Sequence, residues 1–530
     1  MKRLSRGSAL LGGLLGAALL LSACSATGST PSSDSAGGTL VIDKSFDLKT
    51  ADPARNFETT GNILGRALYD TLVTFENGDS STPIPMVATE WSGNDDATEY
   101  TFTLRDDITF ASGDKLTADD VVFSLERAKN VKGNGSFLMA GLTAEKVDDT
   151  TVVITSEAPN TAIPAIMTSP TLGILDSKVV EENGGSDAEG ADTADTAEEY
   201  LNGASAGSGP YILDSFDITT ETVITANPDY WGTKPKYDKV VLRNATAETQ
   251  SSDVVSGTAQ VALDLGSDQI ASLEGNSAVV ISTTSSPTIF FLFSNADPAV
   301  STISSDPKFR EAVTYGLDYD SLLELAGDGA IRAAGVVPDS FLGALKESDA
   351  IVRDVDRAKA AVAALGGTPT VSLEYPSDIS SNGLDFGPIA ERVQANLAEV
   401  GITVNLSPSP VATALENYRA GTEEMGLWLW SPDFPDPSDY LVFGPGATVG
   451  LRAGWAAGSA PEIEDIAAQA AVTVSDEERA PLYEEFQTKL NEAGVFNPLF
   501  QPSASVVASS AVGEVLYSPA FGLDIAAIGQ

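Results

Sequence analysis

The chain contains no histidine. Without imidazole it has no side chain that ordinarily titrates near neutral pH, no histidine metal ligand and no Ser-His-Asp triad. A single cysteine, Cys24, rules out an intramolecular disulfide and a cysteine zinc site. Cations are scarce: 30 Lys and Arg stand against 75 Asp and Glu, a formal net charge of −45. Nucleic acid is thereby disfavoured as a partner, since phosphate binding needs basic patches. Apart from one stretch near the N-terminus, no apolar run is long enough to span a bilayer. Aromatics make up 7% of residues, so a cluster of them stands out. At 530 residues the chain exceeds one hydrophobic core, and two or three domains are expected.

What the sequence does have is concentrated at residues 427–440, LWLWSPDFPDPSDY. Trp428 and Trp430 alternate with Leu427 and Leu429, the period of a strand. Pro432, Pro435 and Pro437 then stop any ladder and stiffen the following loop. That loop carries Asp433, Asp436 and Asp439 beside aromatic rings. Rigid aromatics and carboxylates at a strand end suit a small-ligand site. The alternative is a surface turn whose tryptophans pack inward, with Asp436 facing solvent or capping the turn.

The N-terminus explains the cysteine. Lys2, Arg3 and Arg6 precede the short apolar run 9–21, the form of an export signal. Leu21-Ser22-Ala23-Cys24 resembles the bacterial lipobox, which implies cleavage before Cys24 and a lipid on its sulfur; an ordinary signal peptide with an incidental cysteine is the alternative. Residues 25–38 are a Ser/Gly/Thr tether too polar to fold. Residues 183–199, NGGSDAEGADTADTAEE, suggest a calcium loop but lack the EF-hand spacing; they read as a solvated surface insertion.

The second half alternates regularly. Strands are expected at 370–375, 402–406 and 425–430, with helices at 389–400 and 412–419 between them. Pro388 suits a first helical turn, and Gly401 marks that helix's end. This order predicts a parallel sheet with ligand bound outside the carboxyl ends of its strands. After a helix over 477–493, residues 496–501 and 505–508 read as strands returning to the first domain, leaving two connections of the kind that make a hinge.

Several motifs recur in one order: Trp91, then TFTLR at 101–105, SGDKLTADDVVFSLER at 112–127 with Thr117 and Asp120 in capping-box spacing, GSGPYIL at 207–213, NPDYWGTKPKYDKVVLR at 227–243, and DPKFREAVTYGLDYDSLL at 306–323. This set resembles the family 5 extracellular solute-binding proteins, the peptide/nickel group of ABC importers, over about residues 39–520. Where members often have a histidine in the turn before SGDKLT, this chain has Ala111 or Ser112.

The resemblance implies an α/β fold with two lobes of the periplasmic-binding-protein type and an additional small α+β domain on the first lobe. The implied divisions are a signal peptide at 1–23, a tether at 24–38, lobe I at 39–58, 168–280 and 497–530, the small domain at 59–167, and lobe II at 281–496. The implied function is capture of peptides by a monomeric, exported, lipid-anchored protein that hands them to a membrane permease, without cofactor or bound metal. Asp433, three residues after Trp430, matches the family aspartate that pairs with a peptide's α-ammonium. The backbone of Leu429, Trp430 and Ser431 would pair with the peptide as an added strand. Trp428 and Phe434 are weaker candidates, and no carboxylate-binding arginine maps. A cationic or chelated non-peptide ligand stays open, as does a sensor without transport. A hydrolase using Asp433 and Asp436 is the remote alternative, since two carboxylates on one short loop are poorly placed to flank a bond.

Overall fold

The computed structural model describes residues 37–529 other than 77, 80, 81 and 519. The export signal, Cys24 and most of the tether lie outside the described residues.

Three sheets organise the described chain. The first has seven strands, in spatial order Val279–Ser285, Ser503–Ser509, Val261–Ala262, Thr39–Lys44, Lys239–Asn244, Glu221–Ala226 and Tyr211–Ser215. Its N-terminal strand runs parallel to Lys239–Asn244, with Leu40 against Val240 and Ile42 against Leu242. Those four side chains are buried. Alternation along TLVIDK thus fixes which face meets the core, since one residue of slip would expose both apolar side chains.

The second sheet has six strands: Ile331–Arg332, Phe496–Gln501, Ile289–Ser294, Met425–Trp430, Thr370–Pro376 and Thr403–Ser409. Thr370–Pro376 pairs in parallel with both Thr403–Ser409 and Met425–Trp430. Ile289–Ser294 is antiparallel to its neighbours, so the sheet is mixed. The sequence IFFLFS does not alternate because both faces are covered. Phe290 and Leu292 enter a core with helix Phe386–Glu399. Ile289, Phe291 and Phe293 enter another with Trp428, Tyr440 and Phe443.

The third sheet is a small antiparallel one: Ala88–Gly93, Glu99–Leu104, Thr151–Ser156 and Leu142–Asp148. Helix Ala118–Val131 covers it with Val121, Leu125 and Ala128. At that helix's start the Asp120 carboxylate accepts from Thr117 N at 2.9 Å, satisfying an amide that the helix leaves free.

Four expectations change. Helix Thr59–Leu68 packs Ile63, Leu64, Ala67 and Leu68 against the seven-stranded sheet, not into the small domain's core. Strand Phe496–Gln501 belongs to the six-stranded sheet, and the chain returns to the first sheet only at Ser503; FNPLFQ reads as a strand in either place. Strand Val279–Ser285 extends the first sheet past residue 281. Residues 183–199 are not merely a solvated insertion. Arg127, fully buried, donates to Asp52 at 2.7 Å through both terminal nitrogens, and to Asp195 from Nε at 2.8 Å and Nη2 at 2.9 Å. Burial alone would raise the Asp195 carboxyl, but the Arg127 hydrogen bonds and charge outweigh it and hold it below its ordinary value.

The two large sheets are joined by two adjacent crossings. Residues 286–288 lead from Val279–Ser285 to Ile289–Ser294, and Pro502 leads back. Ser285 faces Ser503, and Ser286 N donates to Pro502 O at 2.8 Å.

Candidate ligand-binding cleft

Between the two large sheets lies a cavity of about 600 Å³, within the range of small-ligand sites. The seven-stranded lobe contributes Lys44, Asn62, Asp264, Ser267 and Tyr517; the six-stranded lobe contributes Ser380, Asn382, Ser431 and Asp433. The crossing at 286–288 supplies Ser286 and Thr288, and the strand that follows Pro502 supplies Ser503 and Ser505. Another concavity, about 710 Å³, lies at residues 349–356 beside Thr488 and Glu492, and is lined by one lobe alone. The interlobe cavity is the better candidate because it collects residues from the ends of the parallel strands, where loops diverge and leave a crevice.

Two loops from those ends reach it. After Thr370–Pro376, a short hairpin pairs Ser380–Ser381 with Leu384–Asp385. Its tip, Asn382-Gly383, takes positive φ at both residues, 51° and 75°, the twist that suits a two-residue hairpin turn. A Cβ on Gly383 would fall 2.7 Å from Gly266 Cα, so glycine lets the hairpin of one lobe touch the backbone of the other. The Asn-Gly pair was a readable turn signal in the sequence; its contact with Gly266 was not.

The second loop follows Met425–Trp430. Trp428 is buried in the core, donates from Nε1 to Glu423 Oε2 at 2.8 Å and stacks on Tyr418 at 4.5 Å. It does not line the cavity. Leu429 turns to the opposite core. Trp430 is half-buried, edge-on to Phe443 at 6.0 Å, and donates from Nε1 to Asp439 at 3.1 Å. Ser431 is exposed to the cavity, its Oγ 2.8 Å from Thr288 Oγ1. Phe434 packs against the small domain's core. Of the six candidates, therefore, Ser431 and Asp433 line the cavity, while Trp430 braces the loop from behind.

Asp436 caps the turn after the strand, one of the two expectations for it, but does not face solvent. It is buried and ion-paired with Arg479, which also donates to Thr161 of the small domain. Asp436 also accepts from Ser438 N at 2.9 Å. Neither a solvent-facing control nor the free partner of an acid–base pair with Asp433 describes it. A GxSxG spelling at 203–207 offers no nucleophile elbow either: Ser205 lies in a turn, where its Oγ accepts from Gly207 N at 3.3 Å.

Asp433 differs from every other carboxylate in the cleft. Its backbone N donates to Asp439 Oδ2 at 3.1 Å, fixing the loop, while its side chain has no hydrogen-bond or ion-pair partner among the described residues. Burial raises its carboxyl to about 6, against the opposing charge of Arg452. Asp439 behind it is raised further, by burial first and then by Asp433's own charge. Two carboxyls so close titrate as one system. A cation placed on Asp433 would relieve both effects. On the opposite wall, Lys44 Nζ meets Asp264 at 3.0 Å, so its charge is answered within the protein. Sequence reading missed that pair because 220 residues separate its members.

The family model for bacterial extracellular solute-binding proteins, family 5 Middle, matches residues 82–448. The chain is 26% identical over 491 residues to the probable D,D-dipeptide-binding periplasmic protein DdpA of Escherichia coli (strain K12), covering 91% of this chain and 92% of that protein. Among solved structures, the ABC transporter substrate-binding protein CtaP of Listeria monocytogenes gives a TM-score of 0.79 at 21% identity, over 94% of this chain and 100% of that one. The ABC transporter-associated periplasmic binding protein DppA of Helicobacter pylori, in complex with peptide STSA, gives 0.72 at 23% identity, over 92% and 96%. The two-lobed fold is common to them.

Proposed function

The chain belongs to the family 5 bacterial extracellular solute-binding proteins, and from that premise we propose that it captures short peptides outside the cell membrane and delivers them to an ABC permease. The observation that carries the reading is Asp433: a carboxylate without a side-chain partner among the described residues, on a proline-stiffened loop, lining a cavity between two lobes. It takes the ligand's α-ammonium. Trp430 and Asp439 hold the loop in place, so little ordering entropy is lost on binding. Backbone groups at residues 429–431 extend pairing to the peptide main chain. No bond is made or broken; the cycle is capture, closure and release. Relatives whose names record dipeptide or peptide binding support the ligand class.

The test is calorimetry with free and N-acetylated dipeptides on wild type and Asp433→Asn. Losing one member of a buried, charge-assisted pair costs roughly 2–5 kcal/mol, so Asp433→Asn should weaken the free peptide about 30-fold or more. Acetylation should mimic the substitution and add little to it. Additive losses would mean that the two groups do not meet.

We further propose that Cys24 carries the lipid that keeps the protein at the membrane. More than one acyl chain is needed for stable anchoring, and a lipidated N-terminal cysteine supplies it. Cys24→Ser should move the protein from the membrane fraction to the soluble one with its unfolding midpoint unchanged; retention on membranes would contradict the assignment.

A further inference from the structure

Resting on the peptide reading, we propose that the cleft selects ligands that bring one positive charge and no free carboxylate into the cavity: short peptides blocked, as by amidation, at the carboxyl end. Among the described residues, three charged side chains line the cavity: Lys44, Asp264 and Asp433. Lys44 is the cation among them, and it is committed. Its Nζ lies 3.0 Å from Asp264 Oδ1, and its side chain is 10% exposed.

The partner is fixed as well. Asp264 Oδ2 accepts from Ser45 N at 2.6 Å and from Gln250 Nε2 at 3.3 Å. Gln250, wholly buried, accepts at Oε1 from Leu263 N at 3.2 Å and Asp264 N at 3.0 Å. Lys44 keeps N–H donors beyond the one that Asp264 takes, but its single positive charge is already balanced, so a ligand carboxylate would have to share it with a fixed Asp264. The pair is self-neutralised, and Asp433 leaves the cavity with a formal charge of −1.

A zwitterionic dipeptide would answer Asp433 with its ammonium and then bury a carboxylate for which the described lining holds no cation that is not already balanced. That is the costly case of an unpaired buried charge. A dipeptide amide brings the ammonium alone. The remaining polar lining, including Ser267, Ser380, Asn382 and Ser503, is neutral.

The experiment is calorimetry of the purified protein with Ala-Phe and Ala-Phe-amide, ligands short enough to keep both ends inside the cavity. The amide should bind at least tenfold tighter. Equal binding, or a preference for the free acid, overturns the proposal and leaves peptide capture standing. Asp264→Asn releases Lys44, and should raise the affinity of free Ala-Phe about tenfold while leaving that of the amide nearly unchanged. Should that variant fail to fold, Ser380→Arg places a cation on the exposed hairpin and should do the same. Failure of a folded variant to gain affinity for the acid counts against the proposal. If neither dipeptide binds wild type, the peptide reading falls, and 2-phenylethylamine against 3-phenylpropionate decides the charge rule alone. Amine above acid upholds it; the reverse, or no binding of either, overturns it.

Discussion

Two regions bury carboxyl groups in this molecule and treat them oppositely. Around Arg127, Asp52 and Asp195 share one guanidinium through four hydrogen bonds of 2.7–2.9 Å, and Asp195 is held below its ordinary range. Around strand Met425–Trp430, three carboxyls lack such a partner. Glu423 at its start has one oxygen unbonded, while Asp433 and Asp439 beyond its end are both raised. Burial is common to both regions, so it does not mark a site. The difference lies in whether the charge is answered inside the fold. A saturated cluster is structure; an unanswered carboxylate beside a cavity is an invitation to a cation.

The sharpest way to break the comparison is to unbalance the saturated cluster. Asp195→Ala leaves Arg127 buried with one partner fewer, and should cost roughly 3–5 kcal/mol of unfolding free energy. The readout is urea denaturation, and ligand affinity should stay put. A loss below about 1 kcal/mol would place this cluster with ordinary surface pairs.

The next effect is on binding. On the proposed reading Asp433 holds the ligand's ammonium only when ionised, and its carboxyl is raised to about 6. Affinity for the free-amine peptide should fall by about tenfold per pH unit below 6, equivalent to ~1.4 kcal/mol each. Titrating Asp433→Asn should show that slope gone. A slope that survives would assign the proton elsewhere.

The last effect is on stability, and is small at each pH step. Burial raises the Glu423 carboxyl from 4.5 to about 8, the Trp428 bond opposing. The folded state thus keeps a proton that the unfolded chain has lost. Its contribution is complete below about pH 4.5, and drains away as pH climbs to about 8. Glu423→Gln has no proton to lose, and should flatten the stability profile in that window by on the order of 1 kcal/mol per pH unit. Parallel profiles for the two proteins would mean that Glu423 is already ionised in the fold.

The same contrast explains what the sequence could disclose. Local signals travelled well. Alternation in MGLWLW gave the strand Met425–Trp430, and helix Phe386–Glu399 followed from the spacing of Ile389, Val393 and Leu397. The motif order gave the two-lobed fold. Long-range charge partners left no local trace. Asp195 and Arg127 are 68 residues apart, Asp436 and Arg479 are 43 apart, and each aspartate reads locally as a solvated turn residue. Trp428 and Trp430 share a face of one strand, yet one fills the core and the other braces a loop; which does which depends on Tyr418 and Phe443, which no period in the strand encodes.

The adjacent crossings at 286–288 and 502 would act as an axle if the lobes rotate, with a proline in each, Pro287 and Pro502, to stiffen it. Ser286, Thr288, Ser503 and Ser505 line the cavity at the axle and Asn382 and Gly383 line it at the jaws, so a bound solute would span from one to the other. Displacement in a rotation grows with distance from its axis. Opening would therefore move the cavity floor least and carry the hairpin tip at Gly383 away from Gly266 through the longest arc. Release would proceed by peeling from the rim inward, with the contacts nearest the axle the last to let go.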